Sequence, residues 1–294
     1  MQTAVYAPVF HDYSDPGRLV ELACAAELAG YDAFFVWDHL AIEPSGLLEI
    51  ADATIVLAAI AQATRRIRFG AMITPLARRR PWKLAKELNT LDRLSGGRVM
   101  LGVGLGEPAM VEFAAFGEDP SAKVRARRLD EGLAILDPLL QGETVNHHGE
   151  YYQLTNARLT PSSVQRPRMP IWVAASLPAQ AGLRRAARWD GCFPIKVPPV
   201  IAEGTVSQAA WPEWWLSPAE TADALACVRA LRGNDGPYAF TATGRATAES
   251  STAASALLRD YHAAGANWWL EWIDDAPGTY EQTLRMISRG APHL

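Results

Sequence analysis

Short runs of apolar, β-branched and aromatic residues alternate along the chain with longer segments of helical periodicity. The run DAFFVW precedes an alanine-rich segment over residues 50–64, and IRFGAMI precedes an amphipathic segment over residues 81–94. Short apolar runs predict buried strands, and longer periodic segments predict helices. We predict strands at TAVYAPV, DAFFVW, IRFGAMI, RVMLGVG, IWVAA, GCFPIKV, YAFTATG and NWWLEWI.

The helices between these strands have boundary signals. Asp15 and Pro16 precede the first helix as an N-cap and a first-turn proline, and Gly30 ends it. Further helices are predicted over residues 121–141, 178–189 and 249–264, at SPAETADALACVRAL, and at YEQTLRMI. Eight strand–helix units without a flexible linker predict one α/β domain over residues 1–294, a closed (β/α)8 TIM barrel rather than a doubly wound sheet.

Two segments interrupt the alternation. The residues TVNHHGEYYQLTNARL contain two short strand-like runs around His148 and Gly149, which predict a hairpin after the fourth unit. Residues 198–216, after the sixth strand, are rich in tryptophan and predict a loop insertion. Neither this segment nor residues 41–49 contain a motif that identifies a substrate.

Composition excludes several classes of protein. The net charge is −4 and no basic stripe is present, which argues against nucleic acid as a partner. No apolar run is long enough to span a membrane, and the first residues lack the pattern of a signal peptide. Cys24, Cys192 and Cys227 are too scattered for a disulfide framework or a zinc site, so we expect a cytoplasmic protein with no metal.

In a (β/α)8 barrel, chemistry lies at the C-terminal ends of the strands. The second strand ends in VWDHL, which places Asp38 and His39 at this end. Neighbouring strand residues point to opposite faces, so we expect only one of the two to face the barrel axis. His39 is then either a packing or surface residue, or a proton donor that works near neutral pH.

The fourth strand ends in a glycine-rich loop. Gly104, Gly106 and Ala109 fit the G-x-G-x-x-A spacing of dinucleotide-binding loops, but that fingerprint normally opens the first unit of a doubly wound sheet, and Pro108 interrupts it here. We interpret the glycines as positions where bare backbone lets a flat ring approach the barrel mouth. Glu107 is either an acid or anchor beside such a ring, or a solvated loop carboxylate.

Other strand ends supply weaker candidates. Gly70 lies within the third strand and indicates a bulge or a close backbone approach, and Thr74 ends this strand. The fifth strand ends in Ala174, Ala175 and Ser176, just before a helix whose N-terminus is suited to phosphate. Ser176 is alternatively an N-cap.

The eighth strand contains an unexpected carboxylate. Alternation places Trp269 and Glu271 on one face and Leu270 and Trp272 on the other. A glutamate within an apolar strand requires a partner or a wet cavity.

The basic cluster formed by Arg78, Arg79 and Arg80 has two interpretations. It is either a solvated loop face or a contact to an anionic cofactor tail or another subunit.

Several segments in order resemble one known family. They are AGYDAFFVWDHL, ATRRIRFGAMITPLARRRPWKLAKELNTLDRLSGGRVMLGVGLGE, RRLDEGLAILDPLLQGE, HGEYYQL and PIWVAAS. The chain resembles the bacterial luciferase-like monooxygenases, which are flavin- or deazaflavin-dependent (β/α)8 oxidoreductases. The resemblance spans nearly all residues.

The resemblance implies roles for particular residues. His39 is expected to be catalytic, and Glu107 matches a proton-donating glutamate of some deazaflavin-dependent sugar-phosphate dehydrogenases. The Met72–Ile73 bond is expected to be a cis peptide behind the cofactor ring. Expected cofactor contacts are Trp37, Met72, Ile73, Thr74, Gly104, Leu105, Gly106, Ala174, Ala175 and Ser176. Leu105 stands where luciferase has a phosphate-binding arginine, so the phosphate site is expected to differ and to recruit Arg78, Arg79 or Arg184.

Three functions follow from the resemblance. The first is a monooxygenase that uses reduced FMN, delivered by a separate flavin reductase, and oxygen to act on a small organic substrate. Trp37, Trp269 and the segment 198–216 would then form an apolar wall or lid. The second is an oxidoreductase that exchanges a hydride through coenzyme F420, with His39 and Glu107 as the acid–base pair. The third is a non-catalytic flavin-binding protein. Relatives also imply a homodimer, for which the helix over residues 50–64 is suitable.

Overall fold

A computed structural model describes residues 1–196, 214–233, 236–274 and 276–294. Its strands are β1 (Gln2–Ala7), β2 (Ala33–Val36), β3 (Arg68–Ala71), β4 (Thr74–Pro75), β5 (Leu101–Gly104), β6 (Val145–His148), β7 (Gln153–Ala157), β8 (Ile171–Leu177), β9 (Gly191–Lys196), β10 (Ala239–Gly244) and β11 (Trp268–Trp272). Its α-helices are α1 (Pro16–Leu28), α2 (Ala53–Ala63), α3 (Pro81–Ser95), α4 (Ala109–Glu112), α5 (Ala122–Gln141), α6 (Gln180–Ala186), α7 (Pro218–Leu231), α8 (Ser251–Ala263) and α9 (Tyr280–Ser288).

The main sheet is parallel and closes on itself. Its strands follow the order β3-β2-β1-β11-β10-β9-β8-β5-β4. Because β3 and β4 are two halves of one strand, interrupted at Met72 and Ile73, the nine segments form eight barrel staves. Thr74 pairs with Val103, and Phe69 pairs with Val99, so the third and fourth staves meet along both halves. The predicted (β/α)8 barrel is therefore confirmed.

Aromatic side chains fill the interior of the barrel. The rings of Phe35 and Trp172 are 5.6 Å apart, and those of Trp172 and Trp268 are 5.0 Å apart. The indole of Trp269 instead contacts Tyr261 of the surrounding helix α8. The alternation predicted for the eighth strand is confirmed, and the prediction that Trp269 forms part of an apolar wall at the site is wrong, because its side chain points outward.

The predicted helix boundaries agree with the structure to within a few residues. The Asp15 side chain accepts a hydrogen bond from the backbone N–H of Gly17 at 2.7 Å, which caps α1, and Gly30 follows α1 with φ of +88°. Ser217 and Glu220 form a reciprocal capping box at the start of α7. No helix among the described residues is both long and apolar enough to cross a membrane.

The hairpin after the fourth unit is present as the antiparallel pair β6 and β7. Glu131 of α5 holds its turn by accepting hydrogen bonds from the backbone N–H groups of Tyr151 and Tyr152 at 3.0 and 2.8 Å. A Cβ atom at Gly149 would lie 1.9 Å from the Glu131 carboxylate, so a larger residue there would displace that side chain. The loop insertion predicted over residues 198–216 lies mostly outside the described residues.

One element was not predicted. The short helix α4 follows β5 and is extended by a 3-10 turn over Ala114–Phe116. It carries Glu112 to the barrel mouth, and this residue is central to the site described below.

Candidate active site

A mostly apolar cavity of about 450 Å³ opens at the C-terminal ends of the barrel strands. Seven of the eight staves contribute to its wall, either directly or through the loop that follows, with only β10 making no contribution. The wall includes Tyr6, Trp37, Asp38, His39, Met72, Ile73, Leu105, Gly106, Glu107, Ala174, Ser176, Phe193 and Trp272. Most of the predicted site residues thus meet in one place.

His39 is held by a carboxylate that the sequence did not reveal. Its Nδ1 atom lies 2.8 Å from Oε1 of Glu112, whose side chain is fully buried, whereas the His39 side chain keeps 19% of its surface exposed. Glu112 also accepts the backbone N–H of Leu40 at 3.1 Å. A carboxylate that accepts the Nδ1–H of a histidine fixes its tautomer and leaves Nε2 for the cavity.

Two arginines complete this network. Arg78 donates from Nε to Glu112 at 3.3 Å and from Nη2 to Asp38 at 2.9 Å. Arg79 donates to the same Asp38 carboxylate at 2.8 Å. The solvated-loop interpretation of the basic cluster is therefore wrong for these two arginines, which neutralise the buried charges around His39.

The prediction that only one of Asp38 and His39 faces the axis is not met in its simple form. Both residues lie just beyond the end of β2, where strand alternation no longer holds, and both reach the cavity wall. Asp38 is nevertheless buried and engaged by arginine, so His39 is the titratable side chain of the pair that is open to a ligand.

The interruption of the third stave forms a shelf in the cavity. The Met72–Ile73 peptide bond is cis, as the resemblance implied. A Cβ atom at Gly104 would lie 2.3 Å from Cδ1 of Ile73 and 3.2 Å from Cβ of Ala174. Gly104 therefore makes room for the Ile73 side chain, and it is Ile73 that lines the cavity.

The Glu107 side chain is held by two hydrogen bonds. Its carboxylate accepts a hydrogen bond from Nη2 of Arg125 at 2.9 Å and another from the backbone N–H of Ala109 at 2.9 Å. Arg125 is 3% exposed and also donates to the carbonyl of Gly106, so it fixes the loop that follows β5. These contacts suit Glu107 as an anchor or a hydrogen-bond acceptor in the cavity wall.

The fifth predicted strand delivers Ser176 to the other side of the cavity. Helix α6 packs so closely on β8 that a Cβ atom at Gly182 would lie 2.7 Å from Cα of Ala175. This approach brings Gly182 into the cavity wall beside Ser176. Arg184 is exposed and does not line the cavity, whereas Arg185 does, paired with Asp130 at 2.7 Å.

Aromatic rings enclose the side of the cavity next to His39. Trp37 and Trp272 have ring centroids 4.9 Å apart, and Tyr6 packs on both at 5.6 and 5.3 Å. Burial raises the pKa of the Tyr6 phenol far above its ordinary value, so the ring stays neutral. Trp214, from the tryptophan-rich segment, also reaches this cavity.

Three predicted contacts do not line the cavity. Thr74, Gly104 and Ala175 are buried, whereas the cavity wall includes Ile73, Pro75 and Ala174. Their roles in cofactor binding stay predictions.

Glu271 was flagged by the sequence and proves to be structural. Its carboxylate accepts from the backbone N–H groups of Ala246 and Thr247, the Thr247 hydroxyl and Nε1 of Trp269. Burial raises the pKa of this carboxyl, and the four hydrogen bonds oppose that effect. Glu271 thus ties the loop after β10 to the outer face of β11.

A family model described as luciferase-like monooxygenase matches residues 1–210. The chain belongs to this family. Among curated relatives of this luciferase-like protein, an F420-dependent glucose-6-phosphate dehydrogenase of Gordonia bronchialis is 36% identical over 170 residues. That alignment covers 57% of this chain and 49% of the dehydrogenase, so the chain matches about half the length of that relative.

Solved structures show the same fold over nearly the whole length. An F420-dependent secondary alcohol dehydrogenase in complex with an F420–acetone adduct superposes with a TM-score of 0.76 at 17% identity, covering 98% of this chain and 97% of that one. The monooxygenase RslO1 from Streptomyces bottropensis superposes with a TM-score of 0.69 at 20% identity, covering 98% and 96%. At these identities the likeness shows the fold that the chain shares with them.

Proposed function

We propose that this protein is a coenzyme F420-dependent oxidoreductase that exchanges a hydride with a small alcohol or carbonyl substrate. The observation that carries the proposal is the His39–Glu112 pair, which presents an oriented imidazole to an apolar cavity. The curated dehydrogenase relative supports the choice of cofactor. Of the two cofactors considered from the sequence, F420 was the alternative and is now preferred.

The residues of the cavity fit a deazaflavin. Its volume, about 450 Å³, falls within the ~300–1,000 Å³ range of small-molecule sites. Ile73 and Leu105 offer apolar surfaces for a flat ring, and Ser176 and Gly182 would hold the phosphate-bearing chain. When bound, the deazaflavin supplies or accepts the hydride.

The chain itself supplies the proton and the environment. Nε2 of His39 is positioned to give a proton to a carbonyl oxygen or to take one from an alcohol. The buried carboxylate of Glu112 stabilises the positive charge that the imidazole gains when it takes a proton. Trp37, Trp272 and Tyr6 exclude water from this proton transfer.

The wall next to His39 also favours one class of substrate. Its surface is made of Tyr6, Trp37, Phe193 and Trp272, and the nearby charges of Asp38 and Glu107 are neutralised by arginines. We therefore propose substrates with apolar rather than ionic substituents.

The test is cofactor binding followed by turnover. We expect the purified protein to bind F420 more tightly than FMN and to reduce it with secondary alcohols. The H39A variant should bind F420 nearly as well as wild type while losing turnover by about 10²–10⁴-fold. Tight FMN binding without F420 affinity would rule out the proposal.

An FMN-dependent monooxygenase is the second candidate. The aromatic enclosure of the cavity favours it, because exclusion of water protects reactive oxygen chemistry. Substrate-dependent oxygen consumption with reduced FMN and a separate reductase would establish this function. A protein that binds flavin but turns over no substrate in either assay would be the non-catalytic binder.

A further inference from the structure

A second cleft, of about 570 Å³, adjoins the network around His39. Two of the arginines in its wall, Arg78 and Arg79, are those that hold Asp38 of the active-site cavity. The rest of the wall comes from Ala77 and Arg80, the loop at residues 117–119, Arg128 of α5 and the tip of the β6–β7 hairpin.

Two arginines of this cleft have N–H donors that no protein acceptor in the described part of the chain satisfies. Arg79 donates to Asp38 through Nη2, but its buried Nε has no hydrogen-bond partner. Arg80 forms no ion pair with the described residues, and its guanidinium lies 5.8 Å from the ring centre of Trp82. A guanidinium carries five N–H donors, so these two arginines keep most of theirs available.

Arg128 and Tyr152 add further hydrogen-bond donors to the cleft. Arg128 uses Nη1 to pair with Glu118 at 2.9 Å, and its guanidinium lies over the Tyr151 ring. Tyr152 lines the cleft, and its hydroxyl forms no hydrogen bond with the described residues.

The two carboxylates of the cleft are already engaged. Glu118 is paired with Arg128, and Asp119 accepts the backbone N–H of Ser121 at 2.7 Å. Neither is positioned to satisfy Arg80 or Tyr152. Arg80 and Tyr152 therefore keep side-chain donors that no acceptor among the described residues satisfies.

We propose that this cleft binds a small molecule that carries a phosphate group. The phosphate oxygens would accept hydrogen bonds from Arg79, Arg80, Arg128 and the hydroxyl of Tyr152. Arginine binds phosphate oxygens with pairs of parallel N–H groups. The cleft exceeds the volume of one phosphate, so a phosphate ester fits it better than the free ion.

Calorimetric titration at constant ionic strength tests this proposal with two probes, inorganic phosphate and glycerol phosphate. We expect each of R80A and R128A to weaken binding by about ten-fold or more, and Y152F to weaken it by less. The matched control is R127A on the same helix, since Arg127 pairs with Glu150 outside the cleft. A second control, S176A, removes the hydroxyl of the phosphate site proposed in the main cavity.

The outcomes are separable. Binding that is lost in the R80A/R128A double variant and kept in R127A and S176A supports the proposal, and the tighter probe shows whether an ester or the free ion is preferred. Wild-type affinity in a correctly folded double variant overturns it, as does loss of binding in S176A alone. Equal displacement by chloride at the same ionic strength would also overturn it, because it would indicate nonspecific charge attraction.

Discussion

His39 and Glu112 are 73 residues apart in sequence, yet Nδ1 of the histidine lies 2.8 Å from the carboxylate of the glutamate. The pair joins the end of β2 to the short helix α4. Glu112 is buried and also forms an ion pair with Arg78, which compensates the negative charge of its carboxylate. The arrangement orients one ring nitrogen of His39 toward the cavity.

Replacement of Glu112 by glutamine tests this role. E112Q keeps the shape but removes the charge that stabilises protonated His39, so we expect kcat to fall by about 10- to 10³-fold, with F420 affinity little changed. E112D should recover part of the rate. E150Q, at an exposed carboxylate, serves as the control, and thermal unfolding verifies that each variant is folded. An E112Q enzyme with wild-type kcat would contradict the positioning role.

The barrel was predictable because each strand and helix carries its own pattern. Period and length separate the elements, and Asp15 and Gly30 mark the ends of a helix locally. Glu112 was not predictable in the same way. It lies in a helix of four residues, too short for a periodic signal, and its partner is distant in sequence. The spacing of His39 and Glu112 depends on how the loops fold over the barrel mouth.

The glycines of β5 show a similar limit. Their spacing predicted the close approach of a flat ring, but at Gly104 the side chain of Ile73 approaches instead. In the structure, a Cβ atom at Gly102 would meet the carbonyl of Ala71 at 2.7 Å, whereas one at Gly104 would meet the tip of Ile73. Backbone and side-chain neighbours have different consequences, which allows a comparison.

We expect G104A to affect mainly cofactor affinity and G102A to affect mainly stability. In G104A the flexible tip of Ile73 shifts toward the cavity, so F420 affinity should fall by about ten-fold while stability falls little. In G102A the added Cβ would clash with the backbone carbonyl of Ala71, which cannot shift easily, so the free energy of unfolding should fall by ~1–3 kcal/mol or more. G233A is the neutral control, because the described residues place no atom within 4 Å of the added Cβ. Equal effects of G102A and G104A on both measurements would refute this assignment.

Replacement of Glu271 should change the stability of the protein but not its cofactor binding. The amide of E271Q would place an NH2 group opposite donors from Ala246, Thr247 or Trp269, so we expect a loss of ~1–3 kcal/mol. The measurement is urea-induced unfolding, with cofactor affinity as a second readout that should stay unchanged. If E271Q unfolds at the same urea concentration as wild type, the carboxylate does not hold the loop after β10.

The hairpin contact yields a prediction about pH. Burial tends to raise the pKa of Glu131, but hydrogen bonds from His147 and from the N–H groups of Tyr152 and Tyr151 outweigh it and hold that pKa below its ordinary value of 4.5. A carboxyl with a lowered pKa in the folded state stabilises it above the unfolded value, and this contribution is lost as pH falls through the folded value. We therefore expect E131Q to cost ~1–3 kcal/mol at pH 7.

The same comparison below pH 4.5 decides whether the charge is responsible. The difference in unfolding free energy between wild type and E131Q should shrink progressively as pH falls below that value, because wild-type Glu131 then takes up a proton and loses the same hydrogen bonds. E150Q should differ from wild type by less than ~1 kcal/mol at every pH, since Glu150 forms only an exposed pair with Arg127. A difference for E131Q that stays constant with pH would show that the side chain acts through packing rather than charge.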